Sequence, residues 1–255
     1  MPYSVFARYY DELTANIDYK KRAEYFHEII KRFNVTDNNI LLDLACGTGS
    51  ISFEMSELGY DVIGVDNSDE MLGIALDKKF DNNLNVQFLC QDMRSFEMFG
   101  TIGVTLCVLD SLNHLGSIDD VRKVFERTAL FAEPDGLFIF DMNTEYKHKN
   151  ILSQNIFIYE TENVYCVWEN ELNEESLEVK INLEFFEREE NGLYSRSSES
   201  FSERAYSRES IERILKDTGF ELLAEYGDDS FENPKEDTQR IIYVARNKNT
   251  HQLLS

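Results

Sequence analysis

An apolar run that stops at an acid and then breaks into two glycines constrains this chain more than anything else in it: Leu41-Leu42-Asp43-Leu44-Ala45-Cys46-Gly47-Thr48-Gly49-Ser50. Ile40 to Ala45 reads as a short buried strand, and Gly49 to Leu58 as the helix after it. Gly47 and Gly49 then sit in a tight strand-to-helix turn, where a missing Cβ allows φ > 0 and lets a ligand press against the backbone. The first N–H groups of the following helix lack partners within it, so a carboxylate or phosphate is favoured there.

The next stretch narrows the ligand. Tyr60-Asp61-Val62-Ile63-Gly64-Val65-Asp66 is a second strand ending in an acid, 17 residues after Gly49. In a doubly wound sheet this carboxylate can accept hydrogen bonds from both hydroxyls of a nucleoside ribose. A dinucleotide fingerprint would put a third glycine three residues after Gly49, where a pyrophosphate must fit, but position 52 is Ser52. Asp43 at the strand end suits a ligand with a cationic amino group and no pyrophosphate. An amino-acid nucleoside is favoured over a dinucleotide, with a nicotinamide-dependent oxidoreductase as the alternative.

Asp43-Leu44-Ala45-Cys46-Gly47-Thr48-Gly49 resembles the first motif of class I S-adenosylmethionine-dependent methyltransferases, and Gly64-Val65-Asp66-Asn67-Ser68-Asp69-Glu70-Met71-Leu72 resembles their second. Cys90-Gln91-Asp92-Met93 after a third strand and Leu130 to Asp141 ahead of a fifth fit the same order. The resemblance covers residues 36 to 144 well and the remainder loosely. It implies an α/β fold with a doubly wound, mostly parallel seven-stranded sheet whose last strand is reversed, and S-adenosyl-L-methionine as cofactor. It also implies cofactor contacts at Tyr10, Asp43, Ala45, Cys46, Gly47, Gly49, Asp66, Asn67, Met71, Gln91, Asp92, Met93 and Leu109. Among these, Asp43 and the Gly47 turn would hold the methionine moiety, Asp66 the ribose, and Asp92 with the Met93 N–H the adenine. Tyr10-Asp11 is similar to a pair in the family's N-terminal lid over the cofactor, although these aromatics could equally pack on the sheet. Met71 faces a similar choice between adenine and core.

Length and charge exclude other classes. At 255 residues the chain suits one large domain, or one with an insertion. No stretch reaches 18 apolar residues, and Met1 to Ala15 lacks a signal-peptide pattern, so a cytoplasmic protein away from the membrane is expected. With 25 basic against 48 acidic residues the net charge is −23, which repels a phosphate backbone, so duplex nucleic acid is not an expected partner. Cys46, Cys90, Cys107 and Cys166 form no CxxC pair, and His27, His114, His148 and His251 are scattered, so neither a metal site nor a disulfide is expected. Monomer and homodimer both remain open.

Helical spacing or capping marks Tyr3 to Leu13, Tyr19 to Phe33, Asp69 to Phe80 behind Ser68, Asp119 to Phe131, and Ser207 to Asp217. Ile102 to Leu109 is an almost unbroken apolar run, as a central strand buried on both faces requires. Asp110-Ser111-Leu112-Asn113-His114-Leu115 follows at its C-terminal end, where open α/β sheets bind ligands. Asp110, Asn113 and His114 are therefore the candidates for aligning or deprotonating a methyl acceptor. Pro134-Asp135-Gly136 reads as a turn before a strand over Leu137 to Met142.

From Asn143 the pattern changes. Residues 157 to 204 alternate Tyr, Phe and Val with Glu, broken at Asn173-Glu174-Glu175 and Glu190-Asn191-Gly192, which predicts an antiparallel meander of about four strands. Such an insertion would roof the pocket, with Tyr165, Trp168, Arg204 and Tyr206 as candidate substrate contacts. The expected division is residues 1–144 with 207–246 as the cofactor-binding domain, 145–206 as an antiparallel substrate or lid subdomain, and 247–255 as a disordered polar tail. The function expected is methyl transfer from S-adenosyl-L-methionine to a small-molecule N or O acceptor. A protein or modified RNA base as acceptor, or a cofactor-binding module without catalysis, stand as alternatives.

Overall fold

The computed structural model describes residues 4–82 and 84–250. Tyr3 and the end of the expected tail, 251–255, lie outside them. The first half alternates helix and strand: α1 (Ser4–Leu13), α2 (Tyr19–Phe33), β1 (Ile40–Leu44), α3 (Ser50–Glu57), β2 (Asp61–Asp66), α4 (Asp69–Asn82), β3 (Val86–Cys90), β4 (Ile102–Cys107), α5 (Ile118–Phe131) and β5 (Ala132–Asn143). Four consecutive strands follow, β6 (Ile156–Glu160), β7 (Val164–Asn173), β8 (Glu178–Arg188) and β9 (Tyr194–Arg204), and then α6 (Arg208–Asp217), β10 (Phe220–Gly227) and β11 (Arg240–Asn247).

Seven strands form one sheet in the order β10-β11-β5-β4-β1-β2-β3, in which β11 alone runs antiparallel to its neighbours. Every residue of β4 is buried, because helices cover both faces. Successive β1 residues show the division: Leu41 packs with Phe26, Ile29 and Met55 of α2 and α3, while Leu42 packs with Val121, Phe125 and Ile214 of α5 and α6. The order reverses between β1 and β4, so the loops after these two strands diverge and leave a crevice at their C-terminal ends.

The other four strands form a separate antiparallel sheet, β6-β7-β8-β9. Its inner face, with Val164, Cys166, Val179, Ile181, Leu183 and Phe185, buries Val5, Phe6 and Ala7 of α1. The Tyr9 hydroxyl donates to Glu187 at 3.0 Å, and the Val5 N–H to Glu199 at 2.5 Å, so α1 is bound to this sheet along its length.

Three segments differ from the sequence expectation. Pro134-Asp135-Gly136 is not a turn outside β5 but an irregularity within it, with Asp135 at φ 64° and the register against β4 jumping from Ile102↔Ala132 to Val104↔Leu137. A π-helical turn, Lys147–Leu152, follows β5 where the sequence offered no periodic signal. Asn247, assigned to the polar tail, is buried in β11, where its amide donates to the carbonyls of Ala132 and Glu133.

Candidate active site

A cavity of about 650 Å³ opens at the C-terminal ends of β1, β2 and β4, roofed by α1 and the antiparallel sheet. That volume lies in the range typical of small-molecule sites. The backbone is strained at its floor: Ala45 after β1 and Leu109 and Asp110 after β4 hold φ of 63°, 59° and 55°, in the left-handed region that side chains with a Cβ rarely occupy.

Gly47, at φ 55°, lines the cavity, and a Cβ there would meet nothing within 4 Å. Its N–H donates to Asp66 at 2.8 Å, while the Ser68 N–H donates to the other Asp66 oxygen at 2.9 Å. Gly49 serves packing instead, since a Cβ on it would come within 2.8 Å of the Phe88 ring, and its bareness lets α3 approach β3. Ser52, which interrupts the dinucleotide spacing, donates to the buried Asp43 carboxylate at 2.5 Å. Burial pushes the Asp43 carboxyl up to about 6, against the Ser52 bond, with Asp66 nearby adding to the rise. Burial raises Asp66 as well.

At the far wall, Asp141 accepts from the Leu109 and Asp110 N–H groups at 2.9 and 2.6 Å and so holds the strained turn. Arg240 bridges Asp110 and Asp141. Burial would raise the Asp110 carboxyl, but Arg240, with Lys147 and His114 beside it, holds it well below the usual carboxylate range. Asp110, His114 and Glu203 each place a potential ligand or proton-accepting atom within 4.8 Å of the others. Glu203 is buried, and burial with the nearby Asp110 raises its carboxyl.

Of the expected cofactor residues, Tyr10, Asp43, Ala45, Cys46, Gly47, Asp66, Asn67, Met71, Asp92, Met93 and Leu109 line the cavity, as do Asp110, His114, Trp168 and Arg204 from the acceptor candidates. The remaining five are turned to other roles. Asn113 is fully buried: its amide donates to the carbonyls of Asn143 and Arg204 and accepts from the Asn143 N–H, which pins the turn after β4 to two strand ends. Gln91 closes on the backbone of Glu97 through both amide atoms. Tyr206 donates to the Leu115 carbonyl. Tyr165 falls on the outer face of its sheet, because it alternates with the buried Val164 and Cys166, and it packs against Phe186. Gly49 completes the five. Residues that sequence reasoning did not single out also line the cavity: Lys147, Glu203 and Arg240. A charged residue opening the apolar run Ile241 to Val244 was a signal for Arg240; Glu203 and Lys147 offered none.

The donor set suits S-adenosyl-L-methionine: a buried acid that favours a nearby cation at Asp43, an open glycine turn, and an acid at the end of β2. A family model described as "Methyltransferase domain" matches residues 41–136. The chain belongs to the class I S-adenosylmethionine-dependent methyltransferases, and is an enzyme that uses that cofactor. It is 30% identical over 252 residues to YqeM of Bacillus subtilis (strain 168), a chain named as a methyltransferase, covering 98% of this chain and 99% of that one. A crystal structure of an S-adenosylmethionine-dependent methyltransferase from Clostridium acetobutylicum ATCC 824 superposes with a TM-score of 0.86 at 32% identity, over 97% of this chain and 99% of the other. A glycine/sarcosine N-methyltransferase of Parasynechococcus marenigrum (strain WH8102) is 26% identical over 231 residues, 86% of this chain and 77% of its own.

Proposed function

We propose that this enzyme methylates the nitrogen of a small-molecule amine. One observation carries the reading: Asp110, His114 and Glu203 converge within 4.8 Å in the cavity wall beyond the glycine turn. An aliphatic amine arrives protonated at neutral pH and must shed that proton before its lone pair can attack. Two carboxylates and an imidazole attract the ammonium and supply an acceptor for its proton. The similarity to a glycine/sarcosine N-methyltransferase supports an amine over a hydroxyl.

The bound cofactor supplies an electrophilic methyl group on a sulfonium. Asp43 pairs with its amino group, Gly47 lets the methionine moiety lie against the turn, Asp66 accepts from the ribose hydroxyls, and Asp92 with Met93 borders the adenine. α1 and the antiparallel sheet exclude water. Asp141 and Arg240 fix Asp110, and His114 takes the proton lost by the acceptor. Most of the acceleration comes from holding nitrogen and methyl in line in a dry pocket.

The test is transfer of labelled methyl to matched amines and alcohols, with wild type and His114→Gln. Amines should be methylated and alcohols not, and His114→Gln should lower kcat about 10²-fold with unchanged cofactor affinity. Transfer to alcohols alone would refute the amine reading, and an unchanged kcat would remove His114 from the proton path.

A further inference from the structure

One cation of the cavity, Lys147, has no ion-pair partner among the described residues. Lys147 sits on the π-helical turn after β5, a local geometry that recurs at functional sites. The Thr144 hydroxyl accepts from the Lys147 N–H at 3.1 Å and anchors the turn. Lys147 lines the cavity, and its ammonium donates to the Asn143 side-chain oxygen at 2.9 Å. An ammonium has three donors, and this bond occupies one.

The other cavity cations are engaged. Arg94 pairs with Asp92 at 2.5 Å, Arg240 with Asp110 and Asp141, and Arg204 faces Glu178 at 3.6 Å. No carboxylate of the described residues lies within 4.0 Å of the Lys147 ammonium. Asn143 ties Lys147 to the proton-accepting cluster, because the same side chain donates from its amide nitrogen to Glu203 at 3.1 Å. A site for an anion thus sits one residue away from the site for an amine.

Resting on the amine reading above, we infer that the acceptor is a zwitterion of the amino-acid type, whose carboxylate pairs with Lys147 while its nitrogen faces Asp110, His114 and Glu203. A singly charged carboxylate fits better than a phosphate, because the surrounding Asp110, Asp141 and Glu203 would repel a second negative charge. Lys147 acts as a specificity residue: it fixes the acceptor's orientation and accepts no proton from it.

The experiment measures methyl transfer to four matched groups: amino acids, their methyl esters, hydroxy acids and their methyl esters, with wild type, Lys147→Met and Lys147→Arg. Wild type should prefer an amino acid over its ester by at least tenfold in kcat/KM. Lys147→Met should raise KM for the acid at least tenfold, about 1.4 kcal/mol, and erase the preference for the acid over its ester; Lys147→Arg, which keeps the positive charge, should restore most of it. Calorimetric titration of the acid into the S-adenosylhomocysteine complex should show the same loss, and an unchanged affinity for S-adenosylhomocysteine shows that Lys147→Met is folded. Equal use of acid and ester, a preference that survives in Lys147→Met, or failure to methylate any acid overturns the inference. Methylation of hydroxy acids over their esters, with amines untouched, would overturn the amine reading while a Lys147-dependent acid preference still upheld the carboxylate pairing.

Discussion

Replacing Asp43 with Asn should make the free protein more stable and its cofactor complex weaker. The carboxyl is 2% exposed and is pushed from 3.8 up to about 6. A raised acid binds its proton more tightly in the folded than in the unfolded chain, so between about pH 4 and pH 6 the folded state holds the extra proton. Stability from this group is greatest in acid and falls as pH rises through that window. Above pH 6 the ionised form is buried at a cost of about 3 kcal/mol, from a shift of about two pH units at 1.36 kcal/mol each. Asn keeps an oxygen for the Ser52 hydroxyl and removes the charge.

Urea unfolding of the cofactor-free protein should therefore show Asp43→Asn close to wild type near pH 4 and more stable by up to about 3 kcal/mol at pH 7.5. In the same samples, calorimetry should show S-adenosylmethionine bound 10- to 100-fold more weakly, since a hydrogen bond to a charged partner contributes about 1.5–3 kcal/mol. Wild-type affinity should also fall as the pH drops below 6 and level off near that of Asp43→Asn, as Asp43 takes up its proton. A mutant that is less stable at pH 7.5 would refute the cost assigned to the buried charge, and one that binds cofactor as wild type does would refute the assignment of Asp43 to the cofactor's amino group.

Asp66→Ala should weaken cofactor binding at least tenfold, about 1.4 kcal/mol, for lost charge-assisted bonds to the ribose; unchanged calorimetric affinity would remove Asp66 from the site. Arg240→Gln removes the direct partner of the buried Asp141 and of the partly exposed Asp110 and should cost about 1–3 kcal/mol in urea unfolding. A stability loss below 1 kcal/mol would show that water already screens the two acids. Gly103→Ala should cost about 1–3 kcal/mol, because a Cβ there meets the Asn38 carbonyl oxygen at 2.2 Å and backbone has little freedom to withdraw; a wild-type unfolding midpoint would contradict that close approach.

The Rossmann-like half was legible because its signals are local. A strand, its terminal acid and the following glycine turn occupy consecutive residues, so Asp43, Gly47 and Asp66 could be placed before any contact was known. Strand alternation could also have separated Trp168 from Tyr165, since residues three apart on one strand point to opposite faces. The acceptor wall was less legible, because it is assembled across long separations: His114 follows β4, Lys147 follows β5, Glu203 ends β9 and Arg240 opens β11. Asn113 and His114 are neighbours of similar polarity, and only the surrounding fold decides between them. Asn113 hydrogen-bonds backbone groups of Asn143 and Arg204 at the ends of two strands, while His114 faces the cavity. Ser52 makes the same point within the legible half. By spacing alone it argued against a pyrophosphate, while its physical role, a hydroxyl given to a buried acid, became visible only once α3 was laid against β1.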